Sequence, residues 1–203
     1  MSDQRFYKTL VWSNALLPLS MLAWDAWHAA LGANPIEYFL RTTGVMTLVF
    51  VMVTLSVTPL RKIFGWNQLI RYRRILGLFA FFYGLIHLTT YLVFDRGADI
   101  PGTVQDVIER PFIAFGMAGF LLMIPLAVTS TNGMVKRLGG KRWQRLHRLI
   151  YLTGICGVVH FWMIVKSDVY YPALFGIALA GLLGFRIYQR LRTSSAARIA
   201  SSK

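Results

Sequence analysis

Two histidines stand where ionisable side chains are rare. His87 lies in ILGLFAFFYGLIHLTTYLVF and His160 in LIYLTGICGVVHFWMIV, stretches otherwise apolar enough for lipid. A group of this kind inside a membrane span is costly and by default marks a functional site. His87 falls seven residues before Phe94 and His160 six before Lys166. At about 1.5 Å per residue, both lie roughly 10 Å below one surface, on helices running in the same direction. Two imidazoles at one depth can clamp a metal between them. Each has a glycine three residues earlier, Gly84 and Gly157, where a flat group could approach the backbone. The plainer reading is a pair of buried histidines hydrogen-bonded across helices.

The donor set narrows the metal. Two imidazoles without a nearby carboxylate or thiolate make a poor closed zinc site, which wants four protein ligands. Haem iron takes four nitrogens from its own ring and asks the protein only for axial ligands. No C-x-x-C-H motif is present, so covalent attachment is excluded. A non-covalent haem b with both axial positions filled carries electrons and does not bind substrate.

His147, in KRWQRLHRLIY, sits among cations at the other end of its span. It is offset from His160 by about 20 Å of rise and roughly 140° of rotation, so the two do not share a helix face. Two readings stay open: a ligand for a second cofactor, helped by Arg73 and Arg74, or an interfacial histidine in a basic collar. Arginine forks there suit haem propionates, a flavin phosphate or lipid phosphate. His28, beside Trp24 and Trp27, reads as structural.

The elements that position these residues are helices. The chain has 203 residues, of which 56% are hydrophobic and 15% charged, and a mean hydropathy of +0.51. Apolar runs recur near the twenty residues needed to cross about 30 Å of hydrocarbon. They predict an all-α integral membrane protein of six spans, at about 10–30, 43–60, 74–94, 112–130, 147–166 and 171–189. Loops are short, so residues 1–203 read as one domain. The stretch 94–111 is predicted to hold a short surface helix ending before Pro111. The first span ends in WDAWH, an aromatic anchor, and reads as a retained helix.

Charge sets the orientation. With the N-terminus inside, eighteen of the twenty-two lysines and arginines fall on inner segments, and seven of the eight acids on outer ones. This bias predicts N-in/C-in topology. The net charge of +14 thereby belongs to a rim suited to anionic lipid, and a nucleic-acid partner is disfavoured. The single Cys156 permits no intrachain disulfide. Neither G-x-G-x-x-G nor a P-loop occurs.

An internal echo runs through the chain. A shift of 73 residues places His87 on His160, Gly84 on Gly157 and Leu76 on Leu149. LSVTPLRKIFG likewise echoes LAVTSTNGMVKRLG, so spans two–three and four–five read as copies of one hairpin. His147 falls on Arg74, so the copies diverge at that end.

Several motifs together carry a resemblance over nearly the whole chain. Arg73-Arg74-x-Leu-Gly-Leu with His87, Glu109-Arg110-Pro111, Pro125-Leu-Ala-Val-Thr-Ser130, and Trp143-x-x-Leu-His147-Arg148-Leu with His160 resemble the MsrQ (YedZ) family. These are haem-binding inner-membrane subunits of bacterial MsrPQ systems, in the ferric-reductase-like transmembrane superfamily. The resemblance implies electrons passing from the quinone pool, with FMN as an added cofactor, to a periplasmic molybdopterin subunit, MsrP. That partner reduces methionine sulfoxide in oxidised envelope proteins. His87 and His160 match the family's haem iron ligands. His147 matches a cofactor-binding histidine, and Arg73 and Arg74 match its arginine pair. Arg74 also stands where the wider superfamily has a fourth histidine, and the superfamily's cytosolic flavin and nicotinamide domain is missing. The expectation is an electron-transfer subunit with no substrate-reducing site of its own. The alternatives are a transporter or channel using its histidines for metal or protons, and a scaffold whose histidines only hydrogen-bond.

Overall fold

The computed structural model describes residues 3–201, and among them no strand occurs. The order is α1 (Asp3–Trp27), α2 (Pro35–Phe64), a 3-10 turn (Asn67–Arg71), α3 (Arg73–Thr90) continuing into a π turn (Tyr91–Asp95), and α4 (Ile100–Glu109). Then come α5 (Pro111–Val128), α6 (Asn132–Leu138), α7 (Gly140–Leu146), α8 (Leu149–Ile164) and α9 (Tyr170–Ser201).

Among the described residues, five stretches are long and apolar enough to cross a membrane: 35–64, 73–95, 111–128, 140–164 and 170–193. These correspond to the second to sixth predicted spans. The first prediction falls on α1, whose 25 residues are long enough, at about 1.5 Å each, to cross the hydrocarbon. Ser13, Asn14, Ser20 and Asp25 dilute its hydrophobicity, and it is not among the five. The Tyr83 hydroxyl on α3 ties α1 down by donating to the Ala15 carbonyl, 2.7 Å away. Trp12 packs edge-on to Phe79.

The two most extensive helix contacts are α2 with α3 and α5 with α8, the two hairpins of the internal echo. Their shared core runs through Leu48, Val51 and Leu55 of α2, Phe79, Ala80 and Tyr83 of α3, Met123 of α5, and Ile150 of α8, with Leu179 of α9 closing it. In lipid such packing depends on close approach more than on water exclusion. A side chain at Gly119 would stand 3.3 Å from Cys156 Cβ, so glycine lets α5 lie against α8. Helix ends are chemically marked. Asn34 caps α2 ahead of Pro35, and Gly65 (φ 72°) ends it with its N–H on the Arg61 carbonyl, in the left-handed conformation glycine adopts freely.

Pro59 lies inside α2 and has no N–H for the carbonyl four residues back. That carbonyl belongs to fully buried Leu55. Arg186 of α9 supplies the missing donor: its Nη2 lies 2.5 Å from Leu55 O, while Nη1 donates to Leu182 O at 2.7 Å. Its guanidinium carbon sits 5.4 Å from the centre of the Tyr151 ring.

The predicted surface helix before Pro111 is α4. It has three faces. Thr103 and Asp106 are buried; Ile100, Val104 and Ile108 are exposed as a stripe; Gln105 bonds Glu109 on the third face. The buried Asp106 carboxylate anchors the helix, accepting from the Tyr91 hydroxyl at 2.7 Å. It is also ion-paired to Arg96 and Arg110 at 3.0 and 3.2 Å.

Candidate functional site

His87 lies near the end of α3 and His160 near the end of α8, so each hairpin carries one imidazole on its second helix. The structure brings them together: ring centres are 6.2 Å apart and the ring planes cross at 84°. Each Nδ1 is bonded to a backbone carbonyl on the first helix of the same hairpin. His87 meets Leu40 O at 3.0 Å, and His160 meets Phe112 O at 2.6 Å. A carbonyl only accepts, so Nδ1 carries the hydrogen in both rings. Nε2 is then left with its lone pair, the arrangement in which an outer hydrogen bond orients an imidazole for a metal.

The spacing admits an iron atom. A metal–imidazole bond of about 2 Å on each side, with about 1.1 Å from nitrogen to ring centre, sets the centroids about 6.2 Å apart. Among the described residues no group of three or more His, Cys, Asp or Glu is placed to hold a metal. A two-imidazole donor set fits a metal that arrives with its own equatorial ligands, as haem iron does.

Neither carbonyl partner was visible in the pattern of side chains, since any residue at position 40 or 112 offers the same group. The expectation for Gly84 and Gly157 needs correcting. A side chain at 84 would meet Met123, Phe120 and Thr47, and one at 157 would meet Leu48. These glycines serve helix packing and do not border the imidazoles.

His147 follows α7, at the opposite end of α8 from His160. Its ring stacks on Trp143 with centres 3.8 Å apart, and Nε2 lies 3.1 Å from Thr129 Oγ1. The Thr129 hydroxyl donates to Pro125 O at 2.6 Å, so it accepts from His147. Trp143 Nε1 donates to Thr129 O at 2.9 Å. Two motifs quoted separately, Pro-Leu-Ala-Val-Thr-Ser and Trp-x-x-Leu-His, thus meet at Thr129, a residue the sequence reading passed over. Arg73 and Arg74, at the start of α3, lie close enough for their charges to act on His147. Arg74 also donates to Asn132 Oδ1 at 2.7 Å, and the fields of Arg61 and Arg186 reach Arg73. The structure therefore gathers His147, Arg73 and Arg74 into one cationic end, apart from the facing pair. His28 is exposed, bonded through Nδ1 to Trp24 O at 2.9 Å and packed on the Trp24 ring.

Residues 11–158 match the family described as ferric reductase like transmembrane component. A relative from Herminiimonas arsenicoxydans, named protein-methionine-sulfoxide reductase heme-binding subunit MsrQ, is 51% identical, over 89% of this chain and 84% of its own length. A protein of the same name from Ralstonia nicotianae is 48% identical, over 91% and 86%. One from Bordetella pertussis is 46% identical, over 94% and 93%. Chain-wide identity of this order, on a helical scaffold that pairs His87 with His160, places the protein in the MsrQ family of ferric-reductase-like transmembrane proteins.

Proposed function

We propose that this protein is the haem b electron-transfer subunit of a methionine sulfoxide reductase system. Electrons pass through it from the quinone pool to a periplasmic molybdopterin subunit of the MsrP type, which repairs oxidised proteins. The observation that carries this reading is the facing pair His87 and His160, each held by Nδ1 with Nε2 available. Haem supplies a reversible one-electron couple when bound. His87 and His160 would hold and orient it, with the Leu40 and Phe112 carbonyls fixing the tautomer of each ring. Their apolar surroundings tune its potential.

Residues 1–203 act as one multi-pass unit in the bacterial inner membrane, both termini inside, as the lysine and arginine bias directs. The end bearing His147, Arg73 and Arg74 then faces the cytoplasm. Its guanidinium groups suit the phosphate of an FMN or an anionic lipid. The outer rim, with 94–111, docks the periplasmic subunit; electron delivery that survived replacement of this loop would sink the docking assignment.

The test of the central reading is a visible spectrum, oxidised and dithionite-reduced, of the detergent-purified protein beside His87→Ala and His160→Ala. The expected result is a low-spin haem b spectrum in the parent, lost or altered in both variants. A colourless parent after haem-supplemented expression overturns the reading, and metal or proton flux becomes the question.

A further inference from the structure

The carbonyls that hold the two imidazoles are followed, four residues later, by glycines: Leu40 by Gly44, and Phe112 by Gly116. The register of this match is 72 residues, one less than that of the histidines. Neither glycine has a positive φ, so neither is there for a turn. Glycine in mid-helix is otherwise the poorest helix former apart from proline.

What each glycine does is clear from what a side chain there would meet. A Cβ at 44 would stand 3.1 Å from both Cε1 and Nδ1 of His87; at 116 it would stand 2.8 Å from the same atoms of His160. Within a helix, the carbonyl of residue i already accepts from the N–H of residue i+4. Its second lone pair is open to another donor. In this structure each imidazole reaching that lone pair lies over the α-carbon of residue i+4, where a Cβ would press against the ring, more tightly at 116 than at 44.

We infer that Gly44 and Gly116 are positioning residues for the two imidazoles, each making room for the hydrogen bond that fixes the ring's tautomer and plane. The inference rests on the haem reading above and concerns residues outside the histidines' own helices. Together the two cradles set the planes at 84°. Axial imidazoles crossed in this way give a low-spin ferric haem a strongly axial electron paramagnetic resonance (EPR) spectrum, dominated by one large-g feature. Near-parallel rings give a three-line rhombic spectrum.

The test compares EPR spectra and haem-to-protein ratios of the oxidised, purified holoprotein with Gly44→Ala, Gly116→Ala and Gly119→Ala. Gly119 lies one turn from Gly116 on α5, but its missing side chain faces Cys156, so it controls for helix packing alone. The expected result is an axial parent spectrum retained in Gly119→Ala. In the two cradle variants the large-g feature shifts toward a rhombic pattern, or haem is lost, more severely in Gly116→Ala than in Gly44→Ala. Parent-like spectra and haem content in both cradle variants overturn the inference while leaving the haem reading intact. Equal haem loss in all three variants also overturns it, because the sensitivity would then be general packing. A parent without haem overturns the underlying reading and the inference with it.

Discussion

Arg186 is the half-buried cation whose role can be measured most sharply. Arg186→Met removes the side chain that donates to Leu55 O, the carbonyl that Pro59 leaves without an N–H. A buried acceptor stripped of its partner costs about 1–3 kcal/mol, and the lost contact with the Tyr151 ring adds about 0.5–1 kcal/mol. The change also relieves part of the cost of holding a cation in a spanning helix, so the single substitution mixes opposing effects. Pro59→Ala separates them, because alanine restores the N–H that Leu55 O lacks. In the parent that N–H finds a carbonyl already bonded; beside Arg186→Met it rescues an orphan. Pro59→Ala should therefore stabilise the Arg186→Met protein by about 1–2 kcal/mol more than it stabilises the parent. The assay is reversible unfolding in mixed micelles on the four proteins of the cycle, followed by far-UV circular dichroism. Additivity within about 0.5 kcal/mol would refute the idea that arginine substitutes for the backbone donor.

Other consequences concern α4. Asp106→Asn removes the charge that Arg96 and Arg110 pair with at a carboxylate only 6% exposed. The expected cost is on the order of 2 kcal/mol, read as faster proteolysis or hydrogen exchange across 96–110 with the haem spectrum unchanged. A nitroxide at Val104→Cys in a Cys156→Ser background, which leaves one labelling site, should be more accessible to oxygen than to a water-soluble nickel relaxer in nanodiscs. One at Glu109→Cys should show the reverse. Equal water accessibility at both positions would contradict an interfacial seat for the Ile100–Val104–Ile108 stripe.

The facing histidines were legible because both depth and register could be counted from side chains that seldom occur in lipid. Their partners were not. Leu40 and Phe112 contribute main-chain oxygen, which leaves no mark on residue type, and the glycines that matter to the rings lie on neighbouring helices. Gly84 and Gly157, three residues before the histidines, drew the eye because they share a helix with them, yet they face other helices. The spans were readable from hydropathy, but their ends were not. Apolar runs understate α2, which begins at Pro35 through a capped, polar first turn. The span predicted at 147–166 corresponds to α8 and left out the short helix α7, which precedes His147. Thr129 escaped notice for a related reason, since a threonine near a helix end is common and its meeting with Trp143 and His147 is tertiary.

The placement of one imidazole per hairpin has a consequence for assembly. The two hairpins each bring one imidazole to the place where they meet. On the proposed haem reading, a group held by His87 and His160 is a cross-link between halves, and neither half owns a complete site. Its binding free energy adds to the cohesion of the whole bundle in proportion to ligand saturation, so losing it loosens the seam between the halves. Away from that meeting point the sequence echo offers two matched positions. There the copies were free to part company, one keeping an imidazole at His147 and the other a guanidinium at Arg74.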